Sequence, residues 1–428
     1  MISSKLKEYV ISGRLDGLLM AECAVSPERL AEKKERIANA VDSFIAIYGD
    51  REAYLFSVGG RSEISGNHTD HNRGRVLCAA VDLDIIAVAS PTDDKAVTVK
   101  SEGFDADTVL ESEIWEPIEE RKFSSSAIIA GMERAFSDRG LNIGGFCAYT
   151  VSDVLKGSGL SSSAAFEVMI GNILNHLYND GTVSNVEIAK MAQFSENVYF
   201  GKPCGLMDQT ACAVGGFISI DFNDPKEPVI EKQDFDLSGA GYDLCIIDTG
   251  GNHADLNEDY ASVPSEMKAV AAYFGKEVLR SVSEEDIIAS AVDIREKLGD
   301  RCLLRALHFM GENKRVEKQA LALKEGDVQA FFDNVIASGL SSYRYLQNVY
   351  TVKNVSEQGL SLALCLCERF LCDKGGAWRV HGGGFAGTVQ AFVPKAYTSQ
   401  FKSYMEKVFN KGSCHVLSVR RGGAMRLV

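Results

Sequence analysis

The 428 residues, 46 % hydrophobic and 24 % charged, have an ordinary globular composition, and the length suggests two domains or one large one. With 45 basic against 59 acidic residues the formal charge is −14 and there is no basic block, which excludes non-specific attraction to nucleic acid or to an anionic membrane surface. An anionic ligand must then be held locally, by backbone amides, single Arg or Lys side chains and metal ions.

The opening MISSKLKEYVISGRLDG contains no signal-peptide core and no apolar run approaches a membrane span, so a cytoplasmic protein without a membrane partner is expected. Residues 26–48, SPERLAEKKERIANAVDSFIAIY, predict a helix with Ser26 as N-cap and Pro27 in the first turn. The stretch GRSEISGNHTDHNRGRV, 60–76, then sets Asn67, His68, Asp70, His71, Asn72 and Arg73 within seven positions. So many short hydrogen-bonding side chains suit a metal site, a polar turn or a pocket for a ligand covered in hydroxyls. A metal pair of His68 and His71 lacks the sulfur or further histidine to complete it.

VLCAAVDLDIIAVAS (76–90) is β-branched and partly alternating, a strand or a bent pair of strands. An amphipathic helix at 125–139 and a strand at 144–154 follow, then a strong helix at 161–178 capped by serines. Between 221 and 243 the chain is polar, with two prolines and little periodicity, and the domain boundary is placed there. A strand restarts at 242–250, helical segments follow at 262–280, 284–297, 301–323, 326–338 and 356–372, and 378–393 reads strand, glycine turn, strand. The eleven cysteines, such as Cys78, Cys147 and Cys245, are scattered without a Cys-x-x-Cys pair, which fits reduced, mostly buried thiols.

Two glycine-rich stretches bear on ligands. KGSGLSSSAAFEV (156–168) joins a strand to a helix through small residues, a geometry that can wrap a phosphate chain against a helix N-terminus; the other reading is a serine-capped turn. It is no Walker loop, because Lys156 precedes the glycines. HGGGFAG (381–387) satisfies G-x-G-x-x-G at Gly382, Gly384 and Gly387, but a strand rather than a helix follows, so a dinucleotide fold is excluded. A backbone pinched against a ligand or another loop is expected instead.

The segment 59–76, KGSGLSSSAA and HGGGFAG, in this order, resemble the GHMP small-molecule kinases. Within them the chain resembles the galactokinase family, whose signature GRVNLIGEHTDYNDG is similar to the stretch from Gly60. PCGLMDQ (203–209) matches that family's PCGIMDQ, and QFSENVYFG (193–201) its preceding segment, so the resemblance runs from about residue 55 to 395. It implies two α+β domains, 1–225 and 240–428, of mixed sheets and helices, with the active site in the cleft between them. It implies an ATP-dependent kinase of a sugar's anomeric hydroxyl that uses ATP and Mg²⁺, with the sugar and ATP as its partners.

Taken singly, Asp208 reads as a turn residue and Arg61 as a surface cation; the resemblance gives them catalytic roles. Asp208 would lie beside the anomeric hydroxyl and Arg61 would pair with it and with the transferring phosphoryl. Asn67, His68, Asp70, Gly205 and Tyr260 take sugar-binding positions. Gly157, Ser158, Gly159, Leu160, Ser161, Ser162 and Ser163 take the ATP phosphates, and Ser162 with Glu196 the metal. The departures concern substrate. Asn67 stands where the signature has a Glu that binds the carbon-six hydroxyl, which admits a changed carbon-six group, even a carboxylate as in galacturonate. His71 replaces Tyr, Gly59 replaces Pro, Val263 falls where the family has Arg, and Phe123 stands near a family Trp. A kinase of galacturonate or N-acetylgalactosamine, or a non-catalytic sugar sensor on the same scaffold, are the competing expectations; the intact GLSSSAA loop and Asp208 favour the enzyme.

Overall fold

The computed structural model describes residues 1–154, 160–251 and 256–428. Among these, twelve strands form two sheets: β1 (Tyr54–Ser65), β2 (Arg75–Pro91), β3 (Ala96–Ser101), β4 (Ala106–Leu110), β5 (Phe146–Ser152), β6 (Phe217–Asp221), β7 (Val229–Gln233), β8 (Tyr242–Asp248), β9 (Ala377–Val380), β10 (Thr388–Pro394), β11 (Cys414–Leu417) and β12 (Met425–Arg426). The first sheet runs β12-β1-β2-β5-β3-β4, with β6 on β2 and β7 on β6; the second runs β11-β8-β10-β9. Pairing is antiparallel except between β3 and β5, so the first sheet is mixed, as expected, and the second is antiparallel throughout.

Strand β2 is the long apolar run of the sequence, and it is one strand whose halves serve different neighbours. Arg75–Ala79 pair with β6 and Ile85–Pro91 with β5, while β1 runs along both. It is apolar on both faces because both are covered. Leu55, Ile86 and Val88 pack with Ile37, Val41 and Phe44 of the helix Leu30–Tyr48. The alternate positions Phe56, Ile85 and Ala87 pack with Val168 and Met169 of the helix Ser162–Tyr178. That first helix begins at Leu30 rather than at Pro27, because residues 26–30 close i→i+3 bonds, Arg29 to Ser26 and Leu30 to Pro27.

The second sheet and its helices lean on the first through one continuous core, in which Phe331 meets Phe217 of β6 at 6.0 Å and Phe392 of β10 at 5.4 Å between ring centres. Polar links add to it: the fully buried Arg379 and Gln390 donate to the Ile64 carbonyl of β1 at 2.8 and 3.0 Å. The chain's end returns to the first sheet, where Arg426 of β12 pairs with Phe56. Arg420 is fully buried on the way, 3.6 Å from the equally buried Asp84, which also pairs with Lys33 and, at 2.9 Å, Arg36. No helix among the described residues is long and apolar enough to cross a membrane.

Candidate active site

The site starts from a fault in β1. Its register with β2 shifts between Gly59 and Arg61 and again between Glu63 and Ser65, and such bulges re-aim side chains. Gly59 tolerates no side chain, since a Cβ there would stand 2.6 Å from the Val81 carbonyl oxygen. Arg61 leaves the first bulge nearly buried and grips Asp208 with both arms, Nε to Oδ1 at 2.7 Å and Nη2 to Oδ2 at 2.6 Å.

Asp208 occupies the first turn of the helix Met207–Val214, where the positive end of the helix dipole favours a carboxylate. Burial alone would raise its pKa, but the Arg61 guanidinium and the Ser161 hydroxyl hold the carboxyl below its ordinary value. Asp208 is therefore ionised at neutral pH, and its side chain keeps 30 % of its surface open. The third contact to it comes from the stretch KGSGLSSSAA. Ser161 stands at the N-cap of the helix Ser162–Tyr178 with φ of 54°, yet caps nothing; its hydroxyl donates to Asp208 Oδ2 instead. Next to it, the Leu160 carbonyl accepts from Arg61 N at 3.1 Å. Ser162 and Ser163 open the helix half-buried, while Gly157, Ser158 and Gly159 lie outside the described residues.

Glu196 is buried in a π-helical turn, Ser195–Phe200, that follows the helix Asn185–Phe194. Its Oε1 accepts from Lys202 Nζ at 3.0 Å and its Oε2 from Gln209 Nε2 at 2.7 Å. The same Gln209 nitrogen donates to Glu167 Oε2 at 3.0 Å, so a residue beside Asp208 bridges Glu196 to the helix that Ser162 begins. Burial and the nearby Glu196 push the Glu167 carboxyl well up. Sequence reasoning missed Glu167, Lys202 and Gln209; only the chain neighbourhood of Gln209 to Asp208 was a signal.

Asp70 and Gly205 meet: a Cβ on Gly205 would lie 2.7 Å from Asp70 Oδ2, so any side chain there would push the carboxylate from its place. His68, at φ of 57°, donates from Nε2 to the Gly383 carbonyl at 2.9 Å, and burial lowers its pKa, leaving it neutral. Tyr260 donates to the Gly384 carbonyl at 2.7 Å and stands edge-on to Phe385. The glycine turn after β9 is thus pinched against the loop that carries Asn67 and His68, as its composition suggested. His381 at its start bonds Ser62 at 3.1 Å and Thr388 at 2.8 Å, and burial, with Arg61 and Arg379 nearby, pushes its pKa down to about 3.

Asn67 differs from these. It is fully buried, and its amide is taken up by the protein: Nδ2 donates to Glu63 Oε1 at 2.8 Å and to the Gly382 carbonyl at 2.7 Å. Its Oδ1 accepts from Asn348 at 2.6 Å and from Ser342 at 3.4 Å. Phe123, 68 % exposed, stacks edge-on against Phe200 of the Glu196 turn at 5.5 Å.

Residues 42–91 match the galactokinase galactose-binding signature and residues 124–216 the GHMP kinases N terminal domain. The chain is 31 % identical over 404 residues to a galactokinase of Streptomyces coelicolor, covering 92 % of this chain and all of that one. It is 29 % identical to the galactokinase of Canis lupus familiaris, over 94 % of this chain and 98 % of the relative. In fold it is similar to Lactococcus lactis galactokinase complexed with galactose, with a TM-score of 0.74, 24 % identity, and coverage of 90 % of this chain and 98 % of that one. Methanococcus jannaschii mevalonate kinase shares the fold at a TM-score of 0.59 and 15 % identity, over 86 % of this chain and 98 % of that one.

Proposed function

Since the chain belongs to the galactokinase family, we infer that it transfers the γ-phosphoryl group of ATP to the anomeric hydroxyl of galactose, giving galactose 1-phosphate and ADP. The observation that carries the chemistry is the meeting of Arg61, Asp208 and Ser161, which joins the sugar strand, the CGLMDQ helix and the end of the phosphate loop at one carboxylate. The anomeric oxygen forms the new bond to phosphorus as the bond to the β-phosphate oxygen breaks, and ADP takes that electron pair. The hydroxyl proton passes to Asp208, which Arg61 keeps ionised and therefore able to accept it. Arg61 also faces the charge that spreads over the phosphoryl oxygens. Such transfer has a loose transition state, so an acceptor kept weak by its cation is adequate when positioning is good.

His68, Asp70, Gly205 and Tyr260 are assigned to the sugar, and residues 157–163 to the phosphates. Mg²⁺ suits the far side of the site: Glu196 and Ser162 offer hard oxygens, and the buried Glu167–Glu196 pair has one lysine beside it. Glu196 and Ser162 would hold the ion, which when bound neutralises phosphate charge. The division into 1–225 and 240–428 is proposed as two lobes around this cleft, with β12 returning to the first. A cytoplasmic location fits the eleven free cysteines.

A coupled assay of sugar-dependent ADP release tests the reading, with galactose, galacturonate, N-acetylgalactosamine and glucose each offered with MgATP. Galactose should be preferred, and Asp208→Ala should lower kcat by about 10²–10⁴-fold. Full turnover by that variant removes the mechanism, and preference for another sugar removes the substrate.

A further inference from the structure

Every hydrogen-bonding position of the Asn67 side chain is occupied by protein. Both amide hydrogens are donated, to Glu63 of β1 and to the Gly382 carbonyl, and both lone pairs of Oδ1 are accepting, from Asn348 and Ser342. Asn348 in turn donates to the Gly383 carbonyl at 3.0 Å, and His308 donates to Asn67's own carbonyl at 3.0 Å while bonding Ser341. The two carbonyls next along the turn, Gly383 and Gly384, are those that hold His68 and Tyr260. We propose that Asn67 is a positioning residue and not a sugar ligand: with Glu63 it clasps the glycine turn at 382–384 to the sugar loop and so sets where His68 and Tyr260 stand.

The residue types are matched to that task. Glu63 Oε1 accepts the Asn67 amide, and the side chain is nearly buried 3.9 Å from Arg379 Nη2. Residue 67 must therefore donate twice, towards a carboxylate and a carbonyl, while accepting from an amide, which Asn does and a carboxylate cannot. The family signature quoted above carries Asn at the place of Glu63 and Glu at the place of Asn67, so this chain holds the same two residue types exchanged. The carboxylate has been moved to β1 rather than removed.

The inference rests on the galactose kinase reading, and the wild-type assay separates failure of that reading from failure of the clasp. The test is a cycle of Asn67→Asp, Glu63→Gln and the double variant, assayed with galactose and 6-deoxygalactose from pH 6 to 9, with thermal midpoints measured alongside. Asn67→Asp sets two carboxylates side by side, so one must hold a proton; its galactose KM should rise roughly tenfold at pH 6 and further at each higher pH, with the KM for MgATP unchanged. The double variant returns one donor and one carboxylate to the pair beside Arg379, and should recover at least about tenfold over Asn67→Asp, in KM and in midpoint, and lose the pH dependence. Asn348→Ala, which loosens the clasp from its other end, should also raise the galactose KM. In all of them the ratio of kcat/KM between the two sugars should stay at the wild-type value. A ratio that changes with residue 67 shows direct contact with the sugar and overturns the proposal, as does an Asn67→Asp enzyme with wild-type KM across that range. A wild type inactive on galactose overturns the kinase reading, and the clasp is then read from the midpoints alone.

Discussion

Asp208 is held by two donors that do different work: Arg61 fixes its charge, and Ser161 ties it to the start of the helix Ser162–Tyr178. Where Gly205 meets Asp70 the equivalent precision comes from a missing atom. Gly205→Ala places a Cβ 2.7 Å from Asp70 Oδ2, and a carboxylate at the end of a side chain yields by swinging away. The expected result is a galactose KM raised about tenfold or more with the thermal midpoint little changed, read by steady-state kinetics and calorimetry. His308 makes a pH prediction. Burial pushes its pKa down to about 4, so on acidification the unfolded chain takes up a proton near pH 6.5 that the folded protein refuses until about pH 4. That one group costs about 2 kcal/mol of stability between pH 7 and pH 5. His308→Gln cannot titrate; its stability deficit against wild type at pH 7 should shrink by that amount at pH 5, measured by denaturant unfolding. A deficit equal at both pH values contradicts the assignment. Asp208, Arg61, His68, Asp70, Gly205 and Tyr260 were legible as candidates only through the family resemblance, since each taken singly reads as an ordinary turn or surface residue. Glu167, His308, Glu312 and Asn348 were not, because each reaches the site through a fold contact, such as Glu312 accepting from Gly66 N across 246 positions at 3.0 Å.

Elements were legible where periodicity and caps agree. The helix Ser125–Asp138 begins where Ser124 accepts from Ala127 N at 3.3 Å, close to the expected 125–139. The expected serine cap at 161 failed for a functional reason, since its hydroxyl is turned to Asp208. The polar stretch 221–243 hides β7, an edge strand whose exposure removes the apolar alternation that marks a strand. Neither bulge in β1 could be read either, because a register shift belongs to a pair of strands. The Gly59 bulge has its own test. Gly59→Ala drives a Cβ against backbone that cannot swing aside, so stability and kcat should both fall, in contrast to Gly205→Ala.

At the scale of the whole molecule, the two sheets share one core and the last residues close onto the first strand. This predicts one cooperative unfolding transition rather than two. The buried ion cluster is the point at which to weaken it: Asp84→Asn leaves Lys33, Arg36 and Arg420 facing a neutral amide, at a cost of about 3–5 kcal/mol, without touching Arg61 or Asp208. Denaturant unfolding should show that loss while kcat stays near the wild-type value. The proposed chemistry rests on Asp208 taking the proton of the anomeric hydroxyl. The most direct measurement is ³¹P NMR of the product formed from galactose and MgATP. The account predicts a sugar phosphate whose phosphorus couples to the anomeric proton, formed by the wild type and nearly absent with Asp208→Ala. A phosphate ester at another carbon, or the same product formed as fast by the variant, contradicts it.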